Sequence, residues 1–481
     1  MTDLRRVWLI AAAYGVVLFA LGVDRYATYR AGADLGLFVQ SIASVFAGFG
    51  NTMERGSHFT YHFSPILYAC APFLLATHSA LALTALQALA GALVPPPLYL
   101  IARKRMSASL ALGVAIVAAL YPPMVGVTFT DFHENGFAPA ATLWLLWALD
   151  AGRFGLAAAF AAVALCIKED QSLLLAFGGI WGAFAYTRAK DRARATFCGA
   201  VVVVSLATFV AFFTVVRPLA GATDIWGPTH FYAWSHGPGT RGGIAPWYSI
   251  GRPAYVLEAL VPVCFVALWS PAFVLAIPGF VEVLGSHESL TYTMGTHYAA
   301  VWIPYVLLAF ALGIARIAAR SPRTATNLMR TSITICALIL AVASPTHWGH
   351  YLGPYTGHDA VLDRAVARAG TSLDLGTFDE VYAHLGFDPN ARIGILATTR
   401  YALADTTYPN AEFTRNVRPV LLQEVAAGTA RLVWSEDGVE LYERGGTPAA
   451  HAEGAHNGRG SVVARARPHE WRAIDRSRRN E

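Results

Sequence analysis

Residues 24–62 read DRYATYRAGADLGLFVQSIASVFAGFGNTMERGSHFTYH, between the apolar segments Val7–Val23 and Ser64–Ala76. A plain connection between two membrane helices does not need nearly forty residues. This one carries Asp24, Arg25, Arg30, Asp34, Gln40, Glu54, Arg55, His58 and His62 among Tyr26, Tyr29, Phe38, Phe59 and Tyr61. Its middle, Leu35 to Phe49, is amphipathic enough to lie along a bilayer surface. The pattern predicts an outer loop in which Asp34 is the working carboxylate, with the rest of the chain building a membrane cavity in front of it.

Composition agrees. The hydrophobic fraction is 55%, mean hydropathy is +0.44 and charged residues make up 14%. Soluble domains carry roughly 25% charged residues. The chain therefore reads as an all-α polytopic membrane protein. Its net charge of +5 says little, because the placement of the charges matters more. No small-residue cleavage site follows Val7–Val23, so the segment reads as a retained first helix. Cys70, Cys166, Cys198, Cys264 and Cys336 all lie in apolar segments, without metal-ligand spacing. They read as small packing residues. The sequence contains no nucleotide-binding loop, dinucleotide fingerprint or zinc-protease helix, and nothing points to nucleic acid.

Working outward gives about eleven spans. Thr2–Arg6 is basic and predicts a cytoplasmic N-terminus. Ser64–Ala76 is short for a span. Ser79–Ala102 carries Pro95-Pro96-Pro97, which predicts a kink. Ala108–Thr128, Phe137–Leu149 and Thr196–Val216 follow the same alternation. Leu156–Tyr186 is apolar except for Lys168-Glu169-Asp170-Gln171 and predicts a hairpin whose polar tip stays at depth, where ionisable groups are functional candidates. A second outer loop covers 217–252. Val256–Trp269 and Pro271–Leu284 predict a tight hairpin of spans. Ala299–Ile314 leads to a basic cytoplasmic loop with Arg316, Arg320, Arg323 and Arg330, and Thr331–Ser344 is the last span. Cytoplasmic segments then collect fourteen Lys and Arg against six in the outer loops, as the positive-inside rule requires. All fifteen histidines fall on the outer side.

The predicted domains are 1–352 in the membrane, an extracytoplasmic α/β domain at 353–445, and an Arg-rich tail at 446–481 that reads as disordered. In the α/β domain, His358–Ala369 and Thr377–Leu385 read as helices and Ile393–Ala397 as a strand. Arg431–Ser435 and Val439–Arg444 around Asp437-Gly438 read as a hairpin.

Four groups come to the outer side: Asp34; Asp131, His133 and Glu134; Lys168 and Glu169; His297 and Tyr298. A carboxylate there can take a proton from an acceptor hydroxyl, a lysine or arginine can hold a phosphate, and aromatics can stack on sugars. Structural roles compete. Helix capping fits Asp34 and Asp131-His133-Glu134, an ion pair fits Lys168-Glu169, and an interfacial belt fits His297-Tyr298. The i,i+4 pair His58 and His62 has zinc spacing but no third ligand.

The motifs Tyr29-Arg-Ala-Gly-Ala-Asp34-Leu-Gly-Leu-Phe-Val-Gln40, His62-Phe-Ser-Pro65, Asp131-Phe-His133 and Lys168-Glu-Asp170 resemble a bacterial and archaeal family of predicted polytopic membrane proteins of unknown function. The resemblance covers roughly residues 20–445. That family is similar in layout to the C-type multi-spanning glycosyltransferases, which take a sugar from a polyprenyl-phosphate carrier at the outer membrane face. The layout implies an essential acid in the first outer loop, and Asp34 stands there. Many C-type members show paired acids, whereas Asp34 is flanked by Ala33 and Leu35; a divalent cation therefore stays open. The resemblance implies Arg30, Gln40, His62, Asp131, His133, Glu134, Lys168, Glu169, His297 and Tyr298 as substrate-binding candidates, with Arg252 a further candidate for the phosphate. Expected partners are membrane lipids, a polyprenyl-phosphate-linked sugar and an envelope glycan, lipid or protein acceptor. A lipid or solute transporter and a non-catalytic envelope scaffold are the competing functions.

Overall fold

Helix α1, Thr2–Ala27, is longer than its apolar run. Asp3 in its first turn and Arg25 in its last complement the helix dipole and extend it. A computed structural model describes residues 2–223, 249–342, 351–369, 374–407 and 411–445. The predicted tail 446–481 and most of the second outer loop (224–248) lie outside the described residues.

After α1 come α2 (Ala33–Ala43), a two-strand ribbon β1–β2 (Gly50–Asn51, Gly56–Ser57) and the short α3 (Ile66–Thr77). Helices α4 (Leu81–Ala92) and α5 (Pro95–Arg103) make one span, Leu81–Arg103. The three prolines occupy the first turn of α5, where their missing N–H groups cost little. Helices α6 (Ala108–Leu120) and α7 (Pro122–Phe129) meet at 45° across Tyr121, because Pro122 and Pro123 cannot continue the hydrogen-bond ladder. Then follow α8 (Ala138–Asp150), the hairpin α9 (Phe154–Leu165) and α10 (Glu169–Arg188), and α11 (Arg192–Ala211), which runs through a π turn into the single turn α12 (Arg217–Leu219). Among the described residues five helices are long and apolar enough to cross a membrane, or six if the bent pair counts as one span. The expected span at α9 is a shorter apolar helix, and so is α3, whose segment already reads as short for a span.

Two expectations change. Residues 256–284 are not a pair of spanning helices. They form α13 (Gly251–Leu260), then 3-10 turns, then α14 (Ile277–Gly285). Pro262, Pro271 and Pro278 remove donors, and Cys264 and Phe265 take left-handed φ of 48° and 55°, so no long helix forms. The basic segment 316–330 is not a loop. Helices α15 (Ile303–Arg320) and α16 (Pro322–Val342) meet at Ser321; Arg316, Arg320 and Arg323 lie near the junction, and Arg330 lies farther along α16.

The C-terminal domain holds α17 (Gly357–Ala369), β3 (Leu375–Thr377), α18 (Asp379–His384), β4 (Arg392–Ile393), β5 (Tyr401–Asp405), α19 (Ala411–Ala426), β6 (Ala430–Glu436) and β7 (Val439–Arg444). Sheet order is β4-β3-β5-β7-β6, with β3 parallel to both neighbours and the remaining pairs antiparallel. The expected hairpin is present, with Asp437 and Gly438 at positive φ. The expected strand 393–397 shrinks to Arg392–Ile393.

One apolar core joins this domain to the first outer loop. Tyr29, Leu35, Phe38 and Val39 pack with Val381, Tyr382, Leu403 and Leu441. The joint is close. A Cβ at Gly36 would lie 2.6 Å from Tyr382 Cδ1 and 2.8 Å from its carbonyl oxygen. His384 stacks between Tyr26 and Tyr29, each at 4.1 Å. Gly36→Val is expected to cost about 1–3 kcal/mol by overpacking, and limited proteolysis of membranes should then release the C-terminal domain faster than from the parent. An unchanged cleavage rate would show that the α2–α18 contact does not hold the domain.

Candidate functional site

The site starts with a clamp. Arg25, at the end of α1, places Nη2 2.9 Å from Asp131 Oδ1. Its Nε donates to the Arg30 carbonyl at 2.7 Å and its Nη1 to the Phe129 carbonyl at 3.1 Å. Asp131 Oδ2 accepts the Gly32 N–H at 3.0 Å, and a Cβ on residue 32 would meet that oxygen at 2.6 Å. The clamp fixes the N-cap of α2, and no side chain caps that helix. Asp34, in the first turn, keeps its carboxylate 37% exposed.

Opposite it lies His297, whose Nδ1 is 3.8 Å from Asp34 Oδ2. His297 stacks on His133 with ring centres 3.6 Å apart and 9° between planes. Both rings are buried, and burial holds both well below the usual histidine range, so two neutral imidazoles can stack face to face. The Nδ1 of His133 accepts the Asn135 N–H at 3.3 Å. It therefore has no proton to give Glu134 Oε2, 3.1 Å away. Glu134 is completely buried, and neither oxygen has a hydrogen-bond partner among the described residues.

Lys168 answers Glu134. It sits at the N-cap of α10, 7% exposed. Burial opposes its charge, but the carboxylates of Glu134, Asp170 and Glu169 outweigh burial and keep it an ammonium. The Tyr298 hydroxyl feels both Lys168 and Asp34, which places the two in one cluster. Yet the Lys168 ammonium makes no hydrogen bond with a described residue.

Glu169 is spent on structure. Its oxygens take His62 Nδ1 and the Phe63 N–H, both at 2.9 Å. This ties the end of the first outer loop to the hairpin tip. Beside it, His58 Nδ1 lies 3.0 Å from Glu54 Oε2. Burial alone would lower His58, but the Glu54 carboxylate raises it; burial would raise Glu54, but His58 lowers it. The raised histidine stabilises the fold fully below its ordinary 6.5 and loses this as pH rises through the raised value. The lowered carboxyl contributes fully above its ordinary 4.5 and loses this as pH falls. The thermal stability advantage of the parent over His58→Gln should therefore be largest between those values and shrink on either side. A flat difference across pH would contradict a charged pair.

Of the expected residues, Asp34, His133, Glu134, Lys168, His297 and Tyr298 form one cluster, with His62 and Glu169 at its edge. Asp131 supports it from behind through the clamp. Arg30 and Gln40 are placed elsewhere. Arg30 donates to Thr28 Oγ1 at 3.3 Å and packs against Gly353. Gln40 Nε2 donates to the Asp388 and Ala391 carbonyls at 2.6 and 3.2 Å, and its Oε1 accepts from Thr52 N at 2.7 Å and the Tyr382 hydroxyl at 2.8 Å. Arg252 donates to the Leu284 and Ser286 carbonyls, both at 2.8 Å.

Two residues were not anticipated. Glu282, on α14, shares a hydrogen bond with Asp170; an acid inside IPGFVEVLG is the signal for it. Gln87, buried in α4, accepts the His133 N–H at 2.8 Å and donates toward the Thr130 carbonyl at 2.9 Å, shaping the loop that carries Asp131 and His133. Among the described residues no group of three or more His, Cys, Asp or Glu is arranged to hold a metal ion.

The chain is similar in structure to ArnT from Cupriavidus metallidurans bound to undecaprenyl phosphate, with a TM-score of 0.56 at 13% identity over 90% of this chain and 97% of that one. The apo state of ArnT gives 0.55 at 12% identity, covering 90% and 98%. The Archaeoglobus fulgidus oligosaccharyltransferase in its apo form gives 0.41 at 12% identity, covering 82% and 69%. The ArnT likeness is one of fold alone. No curated protein sequence matches. The model of one family, described as predicted membrane protein (DUF2079), matches residues 25–352, and the chain belongs to that family of multi-pass membrane proteins.

Proposed function

We propose that this protein is an inverting glycosyltransferase that moves a sugar from a polyprenyl-phosphate carrier to an envelope acceptor at the outer membrane face. The observation that carries this is the Lys168 ammonium: buried, charged, and without a hydrogen-bond partner among the described residues, in one cluster with the half-open Asp34 carboxylate. Such a cation is matched to an anion that arrives with the substrate. The similar ArnT structure has undecaprenyl phosphate bound, which supports a lipid phosphate as that anion.

In this reading Asp34 accepts the proton of the acceptor hydroxyl. The freed oxygen bonds to the anomeric carbon from the face opposite the phosphate. The bond between that carbon and the phosphate oxygen breaks, and the electron pair leaves with polyprenyl phosphate. Lys168 stabilises the growing phosphate charge. Neutral His297, stacked on His133, fixes the side of Asp34 from which the hydroxyl approaches. Tyr298 packs against His297 and feels both Lys168 and Asp34, where it can orient the donor. Asp131, Gln87 and the His62–Glu169 pair position these groups, while Gln40 and Arg30 hold the C-terminal domain against the loop. The N-terminus is cytoplasmic and residues 353–445 are outside, where that domain presents the acceptor.

The direct test uses purified protein with polyprenyl phosphate and with the matching polyprenol. Saturable retention of the phosphate alone, weakened by salt, is expected in native mass spectrometry. Equal retention of both lipids would contradict the reading.

A further inference from the structure

At the membrane end opposite the Asp34 cluster, a cleft of about 540 Å³ is lined by Arg105, Trp181, Ser270, Ala272, Leu312 and Arg316, among others. Helix α15 spans the distance between the two sites. His297 precedes its first turn and Arg316 lies near its last, some 20 Å farther along at 1.5 Å per residue. The cleft is therefore separate from the place proposed for the carrier phosphate.

We infer that this cleft binds the phosphate headgroup of an anionic membrane phospholipid. Its walls are mostly apolar, two guanidinium groups line it, and among the described residues no carboxylate does. Arg316 is held by one hydrogen bond, from Nη1 to the Trp269 carbonyl at 3.1 Å, and the rest of its guanidinium bonds to no described residue. Arg105 is anchored by the Ile101 carbonyl and Asp150. Asp150 also holds Lys104 at 2.9 Å, so one carboxylate faces two cations and a positive excess remains. Beside the cleft lies exposed apolar surface, where Leu268 is 50% and Trp269 62% exposed. A phosphodiester between the arginines would leave its acyl chains along that surface, with the indole of Trp181 against the glycerol region. A free anion would meet the arginines but gain nothing from the apolar wall.

The test is native mass spectrometry of the full-length protein in detergent, titrated separately with phosphatidylglycerol, phosphatidylcholine and inorganic phosphate. Phosphatidylglycerol should bind at least tenfold more tightly than phosphatidylcholine. Arg316→Glu, which leaves the Arg105–Asp150 pair intact, should weaken it about thirtyfold, and Arg316→Gln about fivefold. Arg323→Glu lies at the same membrane end but outside the cleft and should change it less than twofold. Should the Glu variant not fold, the Gln variant still reads the loss, at about fivefold. Equal binding of the two lipids overturns the proposal. So does an effect of Arg323→Glu as large as that of Arg316→Glu, which indicates diffuse surface potential. Displacement of the lipid by inorganic phosphate at equal concentration also overturns it, since the cleft is then a simple anion site.

Discussion

Asp34→Asn is expected to lower sugar transfer by about 10²–10⁴, the usual contribution of a positioned general base, with normal amounts of folded protein in the membrane. Two features separate this from a structural effect. The N-cap of α2 is Gly32, held by Asp131, so the start of the helix does not rest on the Asp34 side chain. The substitution also keeps the size of the group, and loss of a first-turn charge from a partly exposed helix end costs only about 0.3–1 kcal/mol. Asp34→Glu keeps a carboxylate but extends it by one methylene and should recover part of the rate. The measurement is initial-rate transfer in membranes at matched protein levels. Full activity of Asp34→Asn would remove Asp34 from the chemistry and favour a transport or scaffold role for the fold.

Lys168→Met should have two effects that can be pulled apart. The first is on turnover: loss of a preorganised cation facing the leaving phosphate is expected to cost about 10²–10³. The second is on stability. Glu134 is completely buried with no hydrogen bond to a described residue, and Lys168 is its nearby cation, so removing Lys168 is expected to cost about 3–5 kcal/mol. Lys168→Met/Glu134→Gln removes both charges together and should regain most of the folded yield while transfer stays low. Lys168→Arg should fold and retain intermediate activity. The readouts are folded yield in detergent and transfer rate in membranes, compared as a double-mutant cycle. If Lys168→Met/Glu134→Gln transfers sugar at the parental rate, Lys168 is only a counterion for Glu134.

Much of the fold was legible because membrane burial leaves a simple trace. The long polar stretch 24–62, the short apolar segment before residue 77 and the charged tip at 168–171 all correspond to observed features. The segment 256–284 was misread because its hydropathy suits a hairpin of spans, while its prolines, which decide the local backbone, carry little weight in such a reading. In the C-terminal domain, β5 (YALAD) is short and alanine-rich, and α19 contains Pro419, so neither showed a clean period.

The site divides along the same line. Asp34, His133, Glu134, Lys168 and His297 stood out because ionisable groups beside apolar segments need a reason to be there. Gln40 and Asp131 stood out equally, but no spacing rule distinguishes a side chain facing a cavity from one spent on neighbouring backbone. Their partners, Asp388 and Ala391 for Gln40 and Arg25 and Gly32 for Asp131, become visible only in three dimensions. Glu282 was missed although the same rule would have found it.

The central claim is that the protein consumes a lipid-linked sugar, and the most direct measurement is the polyprenyl-phosphate sugar pool. Lipids would be extracted from cells lacking the gene, from cells complemented with the parent, and from cells complemented with Asp34→Asn at equal expression, then resolved by mass spectrometry. One polyprenyl-phosphate sugar should accumulate in the deletion and Asp34→Asn cells and fall in the parent-complemented cells, as a surface glycan of the same sugar returns. An identical lipid-linked sugar pool in all three would contradict the account.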